Sequence, residues 1–417
     1  MTKESTVDKQ IEIIKRGTVE IISEDQLRKK IEKSLKEKSP LIIKAGFDPS
    51  APDIHLGHTV LLRKLRHFQQ AGHKVIFLIG DATALIGDPS GQSKTRRTLS
   101  WEEIEKNVAT YEKQISGILD VHNARLYQRC YNSDWFSRRG HLKKRSAPFT
   151  FDEFVDLAKR YTVARLLERD DFQKRLKENK PVSFLELFYP LMQGYDSVKL
   201  QADIEIGGTD QKFNMLVGRN LQEAYGQEPQ VVITMPILEG LDGARKMSKS
   251  LNNYIGITEP ADEMYGKVMS VSDELMSKYY ELLTDIDSAG IKEMHPMQAK
   301  KALAREIVRQ FHGAAQAQTA QERFEKTYQL QDPFSEIQTR TLKVSSQEDL
   351  RLVNLLCGAD KLNLVKSRSD FRRLIEQNAV SIDEKKINDH CCQLEFDKEY
   401  CIRIGKHRFI RLIVKKA

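Results

Sequence analysis

Two short segments of this 417-residue chain combine residue types that suit the binding of phosphate groups. The first, His-Leu-Gly-His at residues 55–58, opens a stretch of helical spacing that ends near Gly72. At a helix start the unpaired backbone N–H groups favour an anion, and two imidazoles there can donate to it as well. The second, Lys-Met-Ser-Lys-Ser at residues 246–250, adds two ammonium and two hydroxyl groups. We expect this polar stretch to close over a departing phosphate group.

Each segment has a simpler interpretation when it is taken alone. Two histidines at a helix start can be a helix cap or a metal pair, although no third ligand is apparent nearby in the sequence. A stretch rich in lysine and serine is more often a solvated surface. The order of the two segments and the distance between them favour a shared nucleotide site, and we expect no resident metal.

Together the two segments resemble the HIGH and KMSKS signatures of the class I aminoacyl-tRNA synthetases. From about residue 40 onward the chain is most similar to the bacterial tyrosyl-tRNA synthetases, in the branch that has lysine at position 44 and a full KMSKS loop. The resemblance implies a ligase that activates L-tyrosine with ATP to tyrosyl-adenylate and pyrophosphate, then transfers tyrosine to the 3′ end of tRNA(Tyr). It also implies Mg²⁺ accompanying the ATP, no tightly bound cofactor, and a homodimer whose subunits share one tRNA.

The resemblance gives roles to residues of both segments and of nearby turns. Those implied in catalysis are Ser50, His55, His58, Lys246, Lys249 and Ser250. Those implied in binding ATP are Gly57, Lys94, Arg96, Gly207, Gly208, Asp210 and Met247. One departure from the family is Gln92, which stands where a relative has lysine, so we expect Lys94 to substitute for that lysine.

A third set of residues is implied in recognising tyrosine. Its members are Lys44, Asp48, Asp88, Tyr189, Gln193, Asp196 and Gln211. The spacing of Tyr189, Gln193 and Asp196 puts them on one face if the segment is helical, although an ordinary helix with a polar face has the same pattern. The resemblance makes Asp196 the acceptor for the substrate phenol. Phenylalanine has no donor for such a carboxylate, so it would bind poorly.

Apolar strands that alternate with helices predict an α/β fold with a Rossmann-like parallel sheet. We expect strands at residues 41–43, 75–79 and 231–233, with ligands bound beyond their carboxyl ends. The catalytic domain and its connective insertion would span residues 1–245. An α-helical anticodon-binding domain, with the KMSKS loop, would span 246–331, and a linker 332–347.

Residues 348–417 resemble a small α+β RNA-binding fold named after a ribosomal small-subunit protein. Arg368, Arg372 and Arg373 are expected to reach RNA phosphates without reading bases. The basic segment at residues 138–145 is either a solvated loop or a tRNA contact.

Composition sets outer limits on function. The net charge of +8 and pI near 9.0 suit a polyanionic partner without requiring one. Five cysteines without C-x-x-C spacing indicate reduced thiols rather than a zinc site, and the absence of a long apolar run indicates a cytoplasmic protein without membrane contact. The alternatives are the tryptophan-specific relative, another nucleotidyl-transferring enzyme, and an RNA-binding protein that has lost catalysis.

Overall fold

The computed structural model describes residues 3–88, 99–137, 149–249, 251–287, 290–291, 293–329, 337, 339–345, 347–357, 362, 364–383, 385–405 and 408–416. The chain divides into two compact units, Met1–Ala317 (unit 1) and Gln318–Ala417 (unit 2). No described helix is both long enough and apolar enough to cross a membrane.

Unit 1 is built on a six-stranded sheet with the order β1-β6-β5-β2-β3-β4. Its strands are β1 (Glu20–Ile22), β2 (Ile42–Phe47), β3 (Lys74–Ile79), β4 (Tyr127–Tyr131), β5 (Ile204–Gly208) and β6 (Val231–Met235). All neighbours are parallel except β1, which pairs antiparallel with β6. The parallel sheet predicted from the sequence is confirmed.

The inner strands are apolar and covered on both faces, as expected for a parallel sheet. Ile43, Phe77 and Ile233, for example, have no exposed surface. The edge strand β4 was not predicted from the sequence, because Gln128 and Arg129 in its middle are exposed and break the apolar pattern.

Helices pack on both faces of this sheet and extend beyond it. Those of unit 1 are α1 (Lys3–Lys15), α2 (Glu24–Glu37), α3 (Leu56–Gln70), α4 (Asp81–Ala84), α5 (Trp101–Val108), α6 (Tyr111–Ile115), α7 (Ser133–Phe136), α8 (Phe151–Ala158), α9 (Val163–Leu166), α10 (Asp170–Lys177), α11 (Phe184–Leu200), α12 (Lys212–Ala224), α13 (Ala261–Met269), α14 (Asp273–Leu283) and α15 (Pro296–His312). Helix α16 (Ala314–Gln329) follows α15 in the sequence. The helical character expected after the second segment is confirmed over α13 to α16.

Unit 2 has its own sheet, with the order β7-β11-β10-β8-β9. Its strands are β7 (Thr339–Val344), β8 (Val380–Ile382), β9 (Lys385–Lys386), β10 (Glu399–Ile404) and β11 (Arg408–Lys416), and its helices are α17 (Leu352–Leu356) and α18 (Arg368–Glu376). Strand β10 pairs antiparallel with β11. A separate core, which includes the fully buried Phe371, Ile402 and Leu412, stabilises this unit.

Strand β7 corrects the linker expected at residues 332–347. It pairs in parallel with β11 along the edge of the second sheet. Its side chains are mostly exposed and polar, which is why the sequence resembles a linker, but Val344 is buried in the core of unit 2.

Candidate active site

A cavity of about 350 Å³ opens in unit 1 beyond the carboxyl ends of β2, β3 and β5. Most of the predicted site residues line it, namely Asp48, Ser50, His55, Gly57, His58, Asp88, Tyr189, Gln193, Asp196, Gly207, Gly208, Asp210, Gln211, Lys246 and Met247. Lys44 and Lys249 are described but do not line it. Lys94, Arg96, Ser250 and the basic segment at residues 138–145 lie outside the described residues.

Backbone pairing brings the two sequence segments together. His55 forms an antiparallel bridge with Gly256, a few residues beyond the lysine segment. Leu56 N donates to Ile255 O at 2.9 Å, and Ile257 N donates to Ile54 O at 3.1 Å. Main-chain hydrogen bonds therefore join the histidine segment to residues 255–257, which follow the lysine segment in the sequence.

Both histidines cap helix α3, which is one of the alternatives left open by the sequence. His55 is the N-cap residue, and its Nδ1 accepts from the backbone N–H of Gly57 at 3.2 Å. His58 Nδ1 accepts from the backbone N–H of His55 at 3.2 Å, which completes a capping box. A neutral imidazole that accepts at Nδ1 carries its proton at Nε2. Capping therefore leaves each ring with an N–H donor directed away from the backbone.

The histidines remain neutral near physiological pH. Burial, together with the nearby charges of His58 and Lys249, lowers the pKa of His55 to about 2. Burial and Lys249 lower the pKa of His58 to about 4. These rings can thus donate hydrogen bonds without carrying a positive charge.

The lysine segment supplies the positive charge beside these rings. Lys246 is exposed, whereas Met247 is buried and its N–H donates to Leu238 O at 2.8 Å. Lys249 forms an ion pair with Asp53, just before the histidines. We call His55, His58, Lys246, Met247 and Lys249 the histidine cluster.

Gly57 is required by the close packing of this cluster. A Cβ atom at this position would lie 2.9 Å from His55 Cε1 and 3.6 Å from Met247 Cβ. Any larger residue would displace the capping ring, so glycine keeps the start of α3 open towards the cavity.

Asp196 belongs to α11 and lines the same cavity as Tyr189 and Gln193 of that helix. This confirms the shared helix face predicted from their spacing. Its carboxylate accepts hydrogen bonds from Trp135 Nε1 at 2.9 Å and from Asn132 Nδ2 at 3.4 Å. Burial raises the pKa of Asp196 to about 7, although Lys44, Trp135 and Asn132 oppose this shift.

Asp48 is held at the carboxyl end of β2 by two hydroxyl groups. Tyr189 Oη donates to its Oδ2, and Thr83 Oγ1 donates to its Oδ1, both at 2.8 Å. Gly80 makes room for this carboxylate, since a Cβ atom there would lie 2.1 Å from Oδ1. Burial and the Asp48 charge raise the pKa of Tyr189 far above its usual range, so the phenol stays a donor.

Side-chain amides complete this side of the cavity. Gln211 Nε2 donates to Asp88 Oδ2 at 2.6 Å, and Asn214 Nδ2 donates to Gln193 Oε1 at 2.9 Å. The sequence analysis did not identify Asn214, which has no exposed surface. We use the name polar network for Asp48, Asp88, Tyr189, Gln193, Asp196, Gln211 and Asn214.

Lys44 lies behind the polar network rather than in the cavity. It is fully buried, and its Nζ is 3.0 Å from Glu205 Oε1 and 2.7 Å from Ser197 Oγ. It also donates to the backbone carbonyl of Gln193 at 3.1 Å. The ammonium group of Lys44 therefore binds to residues of α11. Lys44 is not among the residues that line the cavity.

The three arginines expected to bind RNA lie in unit 2. Arg368, Arg372 and Arg373 belong to α18, and all three side chains are exposed. Arg368 donates to Asn354 Oδ1 at 3.1 Å, and Arg373 pairs with Asp370 at 3.0 Å. These contacts are at the surface, where such pairs contribute little to stability.

Comparison with known proteins gives a consistent result. The family model described as tRNA synthetases class I (W and Y) matches residues 36–329. A protein of Geobacter sulfurreducens named tyrosine–tRNA ligase is 52% identical over 98% of this chain and 99% of its own length. One from Aquifex aeolicus with the same name is 47% identical over 98% of this chain and 99% of its own length.

Solved structures share the fold at low identity. A tyrosyl-tRNA synthetase of Archaeoglobus fulgidus, complexed with L-tyrosine, aligns with a TM-score of 0.58 and 23% identity over 76% of this chain and 99% of that chain. A truncated mitochondrial tyrosyl-tRNA synthetase of Coccidioides posadasii aligns with a TM-score of 0.61 and 22% identity over 76% and 94%. Since the family model covers well over half of the sequence and the relatives match almost end to end, the chain belongs to the class I tRNA synthetases of the W and Y group.

Proposed function

We propose that this chain is a tyrosine–tRNA ligase that forms tyrosyl-adenylate from L-tyrosine and ATP and then charges tRNA(Tyr). The observation that carries this proposal is the meeting of two distant segments at one cavity. His55 and Lys246 line the same cavity as Tyr189 and Asp196, and the His55–Gly256 bridge pairs the histidine segment with residues just beyond the lysine segment. A nucleotide and an amino acid bound there would lie side by side.

The histidine cluster suits the charge that develops on the phosphates. Activation is an in-line attack of the tyrosine carboxylate on the α-phosphorus, and pyrophosphate leaves. The Nε2–H groups of His55 and His58 would donate to phosphate oxygens. Lys246 and Lys249 would neutralise the departing pyrophosphate, and contacts that strengthen during the attack raise the rate of activation. Lys249 must leave Asp53 to do so.

The polar network suits the recognition of tyrosine. Asp196, with its two donors Trp135 and Asn132, would accept a third hydrogen bond from the substrate phenol. Asp88, Tyr189 and Gln193 would surround the ammonium group. A phenylalanine ring would leave a buried carboxylate without its third donor, which disfavours binding.

Magnesium is proposed to enter with the nucleotide. Among the described residues there is no group of three or more His, Cys, Asp or Glu placed to hold a metal. Mg²⁺ commonly binds through substrate phosphates with one or two carboxylates, and Asp210 offers such a carboxylate in the cavity. When bound, the ion would neutralise part of the phosphate charge.

Pyrophosphate exchange into ATP, measured separately with each of the twenty amino acids, tests the activation step. We expect exchange with tyrosine alone, because Asp196 rejects side chains without a donor. Exchange with tryptophan instead would favour the other specificity within the family. RNA binding without any exchange would indicate a protein that has lost catalysis.

Unit 2 is proposed to bind tRNA through the exposed arginines of α18. Replacing Arg368, Arg372 and Arg373 together by glutamine should weaken tRNA binding and flatten its dependence on salt, because fewer counterions are released. Activation of tyrosine should not change. Replacing three exposed lysines of unit 1, Lys29, Lys33 and Lys36, provides a control of equal charge. Equal losses in both variants would refute a specific role for α18.

A homodimer is proposed from the exposed apolar surface around the start of α8 and α11. Phe151 and Phe184 are 77% and 68% exposed, far more than expected for aromatic residues. Phe151→Asp with Phe184→Asp should give a monomer by light scattering, because burying two carboxylates in an interface is costly. Met297→Asp changes another exposed apolar residue and should leave the mass unchanged. An unchanged mass in the phenylalanine variant would exclude this surface.

A further inference from the structure

One side-chain amide, that of Asn214, connects Gln193 and Gln211, two glutamines that line the cavity. Asn214 of α12 uses both hydrogens of its amide nitrogen, donating to Gln193 Oε1 at 2.9 Å and to Gln211 Oε1 at 3.2 Å. Asn214 is fully buried, so no water competes for these hydrogens. One residue therefore determines how both glutamines face the cavity.

Charged groups at the ends of this series of hydrogen-bonded amides fix the orientation of each amide. The oxygen and nitrogen of an amide are otherwise difficult to distinguish. Arg169 Nη1 lies 3.2 Å from Asn214 Oδ1, and because a guanidinium only donates, the oxygen of Asn214 must face it. The nitrogen of Asn214 must then face Gln193 and Gln211.

Two carboxylates require the same arrangement from the other side. Glu205 Oε1 lies 3.1 Å from Gln193 Nε2, and Asp88 Oδ2 lies 2.6 Å from Gln211 Nε2. A carboxylate only accepts, so each glutamine must turn its nitrogen towards the acid and its oxygen towards Asn214. Reversing any one amide would place like atoms together at the next contact.

We propose that Asn214, oriented by Arg169, is a positioning residue for amino-acid recognition. It determines whether the oxygen or the nitrogen of the Gln193 and Gln211 amides faces the substrate. The proposal rests on the proposed function, in which Gln193 faces the ammonium group of tyrosine and Gln211 faces its carboxylate. In the observed orientation Gln193 Oε1 has a second lone pair for the ammonium, and Gln211 Nε2 has a second hydrogen for the carboxylate. The reversed amides would present the wrong atom to both substrate groups.

The direct test is Asn214→Asp, which keeps the shape and the contact with Arg169 but cannot donate to the glutamines. We expect the KM for tyrosine in pyrophosphate exchange to rise by about tenfold to a hundredfold, with an unchanged KM for ATP. A wild-type protein that shows no tyrosine-dependent exchange would contradict the proposed function. Normal wild-type exchange with an unchanged KM in Asn214→Asp would instead overturn the positioning role.

Gln222→Glu is the matched control. Gln222 lies on the same helix, is equally buried, and donates to Ala202 O at 2.9 Å, but it does not line the cavity. The substitution makes the same amide-to-acid change, so it reproduces any general loss of stability. It should leave the KM for tyrosine unchanged, and an equal rise in both variants would show a structural effect only.

A second pair of variants decides the question if Asn214→Asp does not fold. Arg169→Lys keeps a donor for Asn214 Oδ1, whereas Arg169→Met removes it and frees the amide to rotate. We expect the KM for tyrosine to rise by about tenfold in the methionine variant and by less than about threefold in the lysine variant. Equal effects of the two substitutions, or parallel rises in the KM for tyrosine and ATP, would overturn the proposal.

Discussion

The histidine cluster and the polar network line one cavity, but they hold their side chains by different means. In the cluster, backbone groups next to each residue fix the imidazoles, and Lys246 remains exposed. In the network, buried and half-buried side chains from separate parts of the fold fix one another, as Asp48 and Tyr189 do. The cluster keeps the charge of Lys246 exposed, whereas the network fixes its geometry before a ligand arrives. We therefore expect substitutions in the cluster to change rates, and substitutions in the network to change affinity and specificity.

The largest effect is expected from replacing both lysines of the cluster. Lys246→Met with Lys249→Met should lower the rate of adenylate formation by about 10²- to 10³-fold, because in the proposed mechanism both charges act on the departing pyrophosphate. The KM for tyrosine should stay nearly constant. Rapid-quench measurement of a single turnover separates these quantities.

An exposed lysine elsewhere is the control for this experiment. Lys15 pairs with Glu24 at 2.9 Å on the surface, so Lys15→Met removes a comparable ion pair without affecting the cavity. If the double variant raised the KM for tyrosine as strongly as it lowered the rate, the histidine cluster and the polar network would not have separate roles.

The next effect is expected in the network, from Asp196→Asn. An amide has one acceptor atom, so its nitrogen must face either Trp135 or Asn132, both of which donate. We expect kcat/KM for tyrosine to fall by about a hundredfold, while the KM for ATP is unchanged. Steady-state exchange measured against each substrate tests this split.

Asp203→Asn is the control for a lost carboxylate. Asp203 accepts from the backbone N–H of Ile42 at 2.9 Å and does not line the cavity. Unaltered activation of tyrosine by Asp196→Asn would remove the basis for the assigned specificity.

The same difference explains which parts of the site could be predicted from the sequence. His55, His58 and Lys246 belong to short contiguous segments, so their types and spacing were sufficient to predict a shared site, and all three line one cavity. Asn214 belongs to no such segment. It acquires its importance only when α12 packs beside α11 and places it between two glutamines.

Lys44 shows why a residue selected from the sequence can have an unexpected environment in the fold. The parallel pairing of β2 with β5 places Glu205 directly opposite Lys44. The buried ammonium group pairs with this carboxylate, and Lys44 is not among the residues that line the cavity. Register between strands that are distant in the sequence cannot be read from either strand alone. The alternation of strands and helices, in contrast, is local, and it predicted the parallel sheet.

A smaller effect is expected when capping and donation by His55 are separated. His55→Asn keeps an effective N-cap but removes the Nε2 donor, whereas His55→Ala removes both. We expect kcat/KM for ATP to fall about tenfold in both variants. Only the alanine variant should lose stability, by about 1 kcal/mol in urea unfolding. Normal activity in His55→Asn would mean that this histidine serves only as a helix cap.

The smallest effect is expected from a change of pH. It should appear in the polar network but not in the histidine cluster. Burial raises the pKa of Asp196 to about 7, so its acceptor is lost as the pH falls through neutrality. The KM for tyrosine should therefore rise by about twofold between pH 8 and pH 7. The lowered pKa values of His55, about 2, and His58, about 4, keep both rings neutral over this range, so the KM for ATP should stay constant.

The Asp196→Asn variant identifies the group responsible for this pH effect. It has no proton to gain, so its KM for tyrosine should be flat between pH 8 and pH 7. The same proton also affects stability, since a carboxyl with a raised pKa binds its proton more tightly in the folded state. The free energy of unfolding of the wild type should therefore decrease, relative to Asp196→Asn, as the pH rises from 4 to 7. If the pH profile of the wild type persisted in the variant, the titration would belong to another group. The polar network and the histidine cluster would then not differ in their response to pH.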